Sequence, residues 1–302
     1  MLHLVYPFEG IQRIDLSGVG GREMTTGVRP EDKTVAANGL KLHYLDWGAA
    51  GKPTLLLLHG LRGHAHSWDD VSAALCQDFH VLALDQRGRG ESDWAPGGDY
   101  STDAFVADLT GFCDALALDS FILVGHSMGG RNGMAFTSRY PDRVKKLIVV
   151  DIGPVIDPRG AKRITREITE LPEEFDSFEA VVEYMGPQDR FASDAVLLRR
   201  LRYSTMELPN GKVGWRFDLA VREQRRNGTS APSIDLWPAL PKIGCPTLIV
   251  RGGETDLLGA DVARRMVETI PDARLTEVPR AGHMVFEDNP DGFLTAVRGF
   301  LS

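Results

Sequence analysis

Three residue types that together activate a hydroxyl nucleophile occur along this chain in the order serine, carboxylate, histidine. Ser127 lies within Gly125-His126-Ser127-Met128-Gly129, which matches the pattern G-x-S-x-G, and His283 follows Gly282 near the end of the chain. A serine hydroxyl is a poor nucleophile until a base takes its proton, and the base needs a carboxylate that fixes its tautomer. The sequence therefore predicts a nucleophile at Ser127 and a base at His283, with the carboxylate supplied by an acid after a later strand.

The elements around Ser127 support this interpretation. The apolar run 121–124 predicts a short buried strand, and a helical pattern follows the motif until Pro141. A serine on such a tight strand-to-helix turn has a strained backbone, and its Oγ projects above the sheet edge. The helix that begins there points its free N–H groups at any anion formed at the serine. The motif alone arises by chance in on the order of 0.1 of chains of this size, so its position between a strand and a helix is the stronger signal.

The wider chain alternates apolar strands with helical patterns. Asn38-Gly39 joins two short strands in a predicted hairpin. Continuous apolar runs then recur, and such runs are typical of strands buried on both faces of a sheet. They occupy residues 53–58, 79–85, 121–124, 144–150 and 246–251. Because short links and helical patterns separate these runs, the sequence predicts an α/β fold with a mostly parallel sheet flanked by helices.

This alternation stops between about residues 152 and 240. Nearly 90 residues between two strands are too many for a plain crossover, and three stretches of the segment have a helical pattern. We therefore predict a helical cap at 152–240, inserted between two late strands of a core that comprises 33–151 and 241–302. Residues 1–32 have no clear periodicity and are interpreted as an N-terminal arm without an assigned function.

The composition argues against several classes of function. The chain has 302 residues, a net charge of −8 and no basic tract, so nucleic acid is not expected as a partner. It has no run of 18 apolar residues and no signal-peptide pattern, and its three cysteines form no C-x-x-C. We expect a cytoplasmic monomer or homodimer that binds a small-molecule substrate, with no membrane association and neither a metal nor a cofactor.

Four segments resemble the landmarks of the α/β-hydrolase superfamily, and in particular its capped serine hydrolases of the esterase and lactonase type. They are His59-Gly60, 85–92, 125–130 and Gly282-His283, in the family's order and at its usual intervals. The resemblance implies that Ser127 attacks a carbonyl carbon and that His283 accepts its proton. It also implies that the backbone N–H groups of Leu61 and Met128 form the oxyanion hole. The expected activity is cofactor-independent hydrolysis of a small carboxylic ester or lactone through an acyl-enzyme.

The resemblance leaves open which acid orients His283. Asp256 follows the strand 246–251, where this family most often keeps its acid, and we take it as the predicted residue. Asp151 follows the preceding strand, where some members keep theirs, and is the alternative. Glu254 is a third carboxylate nearby.

Four residues are candidates for substrate contacts. Arg62 and Trp68 follow the oxyanion segment, Arg131 lies four residues after Ser127 on one helix face, and Trp215 belongs to the cap. Each also has an ordinary structural interpretation, such as a surface arginine, a core tryptophan or a salt bridge.

The same three residues serve other chemistry in related capped proteins. Hydrolysis of a carbon–carbon bond in a β-diketone-like compound, hydrolysis of an amide, cofactor-free oxygen chemistry and a slow-turnover ligand receptor all remain alternatives, because a fold does not determine a function.

Overall fold

The computed structural model describes residues 28–188, 191–231 and 234–302. The predicted N-terminal arm, 1–32, therefore lies mostly outside the described residues, and its last two residues begin the first strand.

Eleven strands and ten helices follow one another along the described chain. The strands are β1 (Glu31–Ala37), β2 (Leu40–Asp46), β3 (Thr54–Leu58), β4 (His80–Leu84), β5 (Phe121–His126), β6 (Val144–Val150), β7 (Glu174–Phe175), β8 (Thr205–Glu207), β9 (Val213–Trp215), β10 (Thr247–Gly252) and β11 (Ala273–Val278). The helices are α1 (Asp69–Leu75), α2 (Thr102–Ala115), α3 (Met128–Arg139), α4 (Pro158–Thr169), α5 (Phe178–Met185), α6 (Asp194–Ser204), α7 (Ala220–Asn227), α8 (Ala260–Thr269), α9 (Val285–Asp288) and α10 (Pro290–Leu301).

Eight of the strands form the main sheet in the order β1-β2-β4-β3-β5-β6-β10-β11. The β1–β2 and β2–β4 pairs are antiparallel and every other pair is parallel. The predicted hairpin at Asn38-Gly39 is confirmed, and both residues have the positive φ that such a turn requires. The mostly parallel α/β sheet expected from the sequence is thus present.

Helices cover both faces of this sheet, which explains why its central strands are apolar throughout. Successive residues of a strand point to opposite faces, and β3 illustrates this. Leu56 and Leu58 pack in one cluster with Phe112 of α2. Leu55 and Leu57 pack on the other face in a cluster with Phe293 of α10.

The segment between β6 and β10, called the cap segment below (152–240), contains α4 to α7 and a second, three-stranded antiparallel sheet in the order β7-β9-β8. The segment has its own apolar cluster, formed by Leu171, Phe178, Val181, Leu197, Leu201, Val213, Trp215 and Phe217. The sequence predicted helices here but not this sheet, because strands of two or three residues are too short to show an alternating pattern. The division into arm, core and cap stays a prediction.

None of the helices in the described part of the chain has the length and apolar character needed to cross a membrane.

Candidate active site

Ser127 lies on the tight turn between β5 and α3, in a strained backbone conformation. Its φ is 52° and its ψ is −117°, a region that a residue with a side chain rarely occupies. A Cβ at Gly125 would lie 2.4 Å from the carbonyl oxygen of Gly129, and one at Gly129 would lie 2.4 Å from that of Leu58. The turn can therefore form only because both flanking positions of G-x-S-x-G are glycine.

Asp151 leaves the neighbouring strand at the same level as Ser127. His126 and Val150 are register partners in the parallel β5–β6 pair, so the next residue of each strand lies at the same sheet edge. The N–H of Ser127 donates to the carbonyl of Val150 at 3.0 Å, and Asp151 also has a positive φ, of 50°. The sheet register thus brings a serine and a carboxylate to one edge.

The carboxylate of Asp151 holds the ring of His283. Nδ1 of His283 lies 2.8 Å from Oδ2 of Asp151, which is completely buried. The same carboxylate accepts a hydrogen bond from the hydroxyl of Thr255 at 2.5 Å and one from the N–H of Gly252 at 3.0 Å. Such a set of partners favours the ionised carboxylate and orients the imidazole through Nδ1, which leaves Nε2 as the nitrogen that can accept a proton.

This arrangement corrects the expectation that Asp256 is the partner of His283. The carboxylate of Asp256 receives two hydrogen bonds of 2.7 Å from Arg163 of α4. Its predecessor Thr255 reaches the buried Asp151, and Asp256 is directed toward the cap segment. The alternative acid, Asp151, therefore occupies the position beside the histidine. Glu254 lines the cavity described below, and its N–H donates to Ala281 at 2.8 Å.

His126, the variable residue before the serine in G-x-S-x-G, supports His283 from the other side. Its Nε2 lies 2.9 Å from the carbonyl oxygen of His283, and the two rings are 4.5 Å apart between centroids. Sequence reasoning missed both His126 and Thr255, because no local pattern requires a histidine or a threonine at these positions.

Burial and nearby charges set the protonation of this group. Burial lowers the pKa of His283 well below its usual range, and the Arg163 guanidinium acts in the same direction, whereas the Asp256 carboxylate opposes it. Burial raises the pKa of Asp151, and the hydrogen bonds from Thr255 and Gly252 oppose that rise. The imidazole is consequently neutral near pH 7, which is the form that can accept a proton.

Ser127 and His283 line one cavity of about 520 Å³ between the sheet edge and the cap segment. Apolar side chains of the cap segment line part of it, namely Ile164, Met185, Phe191, Leu201, Trp215 and Phe217. Charged side chains line another part, namely Arg62, Arg163, Glu167, Arg200, Glu254, Asp256 and Asp288. The cavity is of a size suited to a small molecule with both apolar and polar parts.

Two of the four predicted substrate contacts line this cavity. Arg62 does so while one Nη donates to Glu167 at 2.9 Å. Trp215 also lines it, and its Nε1 donates to the carbonyl of Pro172 at 2.8 Å. Their contact with a substrate stays a prediction.

The other two predicted contacts are structural residues. Trp68 is completely buried and stacks on Phe286 at 4.2 Å between ring centroids, so it belongs to the core. Arg131 donates to the carbonyls of Gly153, Pro154 and Ile234, and thereby ties α3 to two loops. The interpretation of Trp68 and Arg131 as substrate-binding residues is therefore corrected.

The two predicted oxyanion-hole residues lie on two segments that a backbone hydrogen bond joins beside Ser127. Leu61 lines the cavity in the loop after β3, and Met128 is the first residue of α3. The N–H of Gly129 donates to the carbonyl of His59 at 3.2 Å, which fixes the start of α3 against the loop after β3. The role of the Leu61 and Met128 amides stays a prediction.

Comparison with known proteins finds a matching family model and several similar hydrolases. A family model described as the alpha/beta hydrolase fold matches residues 53–290. The chain is similar to N-formylmaleamate deformylase of Pseudomonas putida, with 32% identity over 88% of this chain and 95% of the deformylase. It is also similar to an esterase of Mycobacterium tuberculosis, with 30% identity over 91% of this chain and 90% of the esterase.

A solved structure is similar over nearly the whole described chain. The crystal structure of E-2-(acetamidomethylene)succinate hydrolase matches with a TM-score of 0.82 and 26% identity. The match covers 90% of this chain and 99% of that one.

Proposed function

This chain belongs to the α/β-hydrolase family and is an enzyme of that family, and we propose that it hydrolyses a small carboxylic ester or lactone through an acyl-enzyme on Ser127. The observation that carries the proposal is the 2.8 Å contact between His283 and the buried Asp151, in one cavity with the strained Ser127. Relatives that are named esterase and hydrolase support it.

The proposed reaction has two halves. Oγ of Ser127 attacks the carbonyl carbon as Nε2 of His283 takes the hydroxyl proton, and Asp151 stabilises the imidazolium that results. His283 then gives that proton to the departing alcohol, which leaves an acyl group on Ser127. Water attacks this ester after losing a proton to His283, and the acid is released as the proton returns to Ser127.

The oxyanion that forms in each half is assigned to the N–H groups of Leu61 and Met128. Such a donor typically contributes about 10²–10³ to the rate, because it is fixed where the charge develops. The neutral His283 favoured by burial is the form that both halves require.

The lining of the cavity supports a medium-sized or aromatic substrate. The aromatic rings of Trp215 and Phe217 and the side chains of Leu201 and Met185 offer an apolar surface on the cap side. When an acyl or aryl group packs on this apolar surface, the reacting carbonyl of the substrate is placed next to Ser127.

A second candidate function is hydrolysis of an amide that carries a carboxylate. Arg62, Arg163 and Arg200 all line the cavity, where each also pairs with a carboxylate of the chain, and a substrate carboxylate would compete with those partners for the N–H donors. Two of the similar proteins are named for N-formylmaleamate and for 2-(acetamidomethylene)succinate, which are carboxylate-bearing N-acyl compounds. The three arginines are the observation that favours this candidate.

The test measures hydrolysis of p-nitrophenyl butyrate by wild type and by Ser127→Ala, with N-formylmaleamate as an amide substrate in parallel. We expect turnover of the ester by wild type and a loss of at least about 10⁴-fold in kcat in Ser127→Ala. Ser138→Ala is the matched control, since Ser138 lies on the same helix and its hydroxyl donates to the carbonyl of Ala135 there.

Each outcome separates the candidates. Turnover of the amide in place of the ester would favour the second candidate. A folded wild type that turns over neither substrate would refute both candidate functions. Hydrolysis of a carbon–carbon bond and a slow-turnover receptor would then be the alternatives to test. Full activity in Ser127→Ala would refute the acyl-enzyme mechanism altogether.

A further inference from the structure

Arg89 is a completely buried arginine whose guanidinium reaches the loop after β3. It is 1% exposed, and its Nε donates to the carbonyl oxygen of Leu61 at 3.1 Å. Its Nη1 donates to the carbonyl of Arg87 at 2.9 Å. No carboxylate of residues 28–188, 191–231 or 234–302 forms an ion pair with it. A buried cation is thus held at the proposed oxyanion loop by carbonyl groups.

Aromatic rings complete the surroundings of this guanidinium. Its Cζ lies 4.8 Å from the ring centroid of Tyr100 and 5.5 Å from that of Phe105, distances at which a cation is attracted to a ring. The hydroxyl of Tyr100 donates to Asp218 of the cap segment at 2.5 Å. The N–H of Asp218 in turn donates to the carbonyl of Gly88 at 2.9 Å. The cap segment therefore braces the loop that carries Arg89.

The burial of the Arg89 guanidinium has an energetic cost. Burying a cation without a directly paired carboxylate is costly, and carbonyl dipoles, ring faces and the field of the Asp218 carboxylate offset part of that cost. Burial lowers the pKa of Arg89 to about 10, so the side chain remains protonated near neutral pH.

The Leu61 carbonyl is well placed to control the geometry of its own loop. The loop is a tight turn in which the N–H of Gly63 donates to the carbonyl of Gly60 at 3.1 Å. A hydrogen bond from Arg89 to the Leu61 carbonyl restrains the peptide that follows Leu61. The Leu61 N–H belongs to the preceding peptide, whose Gly60 carbonyl also accepts from Nδ1 of His59 at 2.7 Å. The bond from Arg89 fixes the next peptide, so the planar peptides on both sides of Leu61 are held and its φ and ψ are restrained together.

We propose that Arg89 is a positioning residue of the oxyanion hole, which acts through Leu61 and holds the Leu61 N–H toward the carbonyl that reacts at Ser127. The proposal rests on the proposed function. Tyr100 and Asp218 contribute to this positioning, because the hydrogen bond between them fixes the Tyr100 ring against which the Arg89 guanidinium lies. In this proposal Arg89 acts on the reaction only through Leu61.

The test compares wild type with Arg89→Met and Arg89→Lys, using p-nitrophenyl butyrate and a butyl trifluoromethyl ketone. The ketone forms a tetrahedral adduct with the serine, so its affinity reports the oxyanion hole directly. We expect kcat to fall by about 10- to 100-fold in Arg89→Met, with KM within about threefold. The affinity for the ketone should fall by the same factor, and Arg89→Lys should restore part of both, because its ammonium can still donate to a carbonyl.

Arg143→Met is the matched control. Arg143 also donates to a loop carbonyl, that of Leu118, at 2.8 Å, but before β5 and so at the opposite end of the sheet from Ser127. We expect kcat and ketone affinity to be unchanged in this variant.

Several results would overturn the proposal. They are an unchanged kcat in folded Arg89→Met, a loss expressed entirely in KM, or a loss of kcat with undiminished ketone affinity. If Arg89→Met fails to fold, Tyr100→Phe tests the same arrangement, because it keeps the ring and removes the hydroxyl that donates to Asp218 and accepts from the N–H of Ala95. A drop of about threefold in kcat and ketone affinity would support the proposal, and no change would overturn it.

The wild-type enzyme separates this proposal from the proposed function. Wild type that neither hydrolyses the ester nor binds the ketone would overturn the proposed function and the role of Arg89 together. If wild type is active and the Arg89 variants have unchanged kcat and ketone affinity, only the proposed role of Arg89 is overturned.

Discussion

The loops after β6 and β10 each place an aspartate near His283, but the two aspartates have very different surroundings. Asp151 follows β6 directly, is completely buried and contacts the imidazole at 2.8 Å. Asp256 follows β10 after a turn of three residues; its side chain is 34% exposed and paired with Arg163. A residue that directly follows a strand is positioned by the register of the sheet. One that lies beyond a turn is positioned by whatever packs on that turn, here the cap segment.

The two carboxylates therefore act on His283 at different ranges. Asp151 acts by a hydrogen bond in a buried site, where electrostatic interactions are strong. Asp256 acts only through its field, and the opposing effect of Arg163 on the pKa of His283 is the larger of the two. Four substitutions measure this difference, and we order them from the largest expected effect to the smallest.

Asp151→Asn should lower kcat for p-nitrophenyl butyrate by about 10⁴-fold. The amide keeps the shape of the side chain but removes the charge, and it stabilises the wrong tautomer of His283. The substitution is checked by steady-state kinetics at pH 8 on protein shown to be folded by circular dichroism. A loss of less than about tenfold would mean that Asp151 is not the orienting acid.

Thr255→Val should lower kcat by about tenfold. It removes the 2.5 Å hydrogen bond to Asp151, and a hydrogen bond to a charged group contributes about 1.5–3 kcal/mol. Thr255→Ser keeps the hydroxyl and is the matched control, expected to retain nearly full activity. Equal losses in both variants would assign the effect to packing.

Arg163→Gln should move the acidic limb of the kcat/KM profile to higher pH. The guanidinium lowers the pKa of His283, and its removal also frees the Asp256 carboxylate, which raises that pKa. Because His283 must be unprotonated to act as a base, activity is then lost at a higher pH on acidification. The plateau should change by less than about fivefold, since a partly exposed ion pair contributes about 0.2–1 kcal/mol.

The control for Arg163→Gln is Arg159→Gln, on the same helix, whose ion pair with Asp157 lies at the surface. Its pH profile should match that of wild type. A shift of the Arg163→Gln limb to lower pH would contradict the assigned electrostatics.

Asp256→Asn should have the smallest effect, about twofold on the plateau of kcat/KM. It removes a negative charge that raises the pKa of His283, so its acidic limb should move to lower pH, opposite to that of Arg163→Gln. A loss comparable to that of Asp151→Asn would reverse the comparison of the two loops.

Sequence reasoning predicted the parts of the site that depend on local pattern. Strand, G-x-S-x-G and helix are consecutive in the chain, so the turn at Ser127 follows from neighbouring residues. His283 was identified from the order of segments, and the structure brings it to the same cavity as Ser127. The alternation of apolar runs and helical patterns likewise predicted the parallel sheet.

The parts that failed depend on contacts between distant segments. Whether Asp151 or Asp256 meets His283 is decided by how the turn after β10 packs against Gly282 and α4, and no local pattern encodes that packing. Trp68 and Arg131 have suitable residue types, but the rotation of the elements that carry them directs one into the core and the other to loop carbonyls. The short cap strands leave too few residues for a period to show.

The order of the three candidate residues along the chain has a consequence for biosynthesis. Ser127 and Asp151 precede the cap segment, and His283 follows it, so about 150 residues separate nucleophile from base. At about 5–20 residues per second, a ribosome needs roughly 8 to 30 seconds to make that stretch. Throughout this interval the nascent chain carries its serine without the base that would activate it. The proposed activity should therefore arise in a single step, only after His283 has been synthesised.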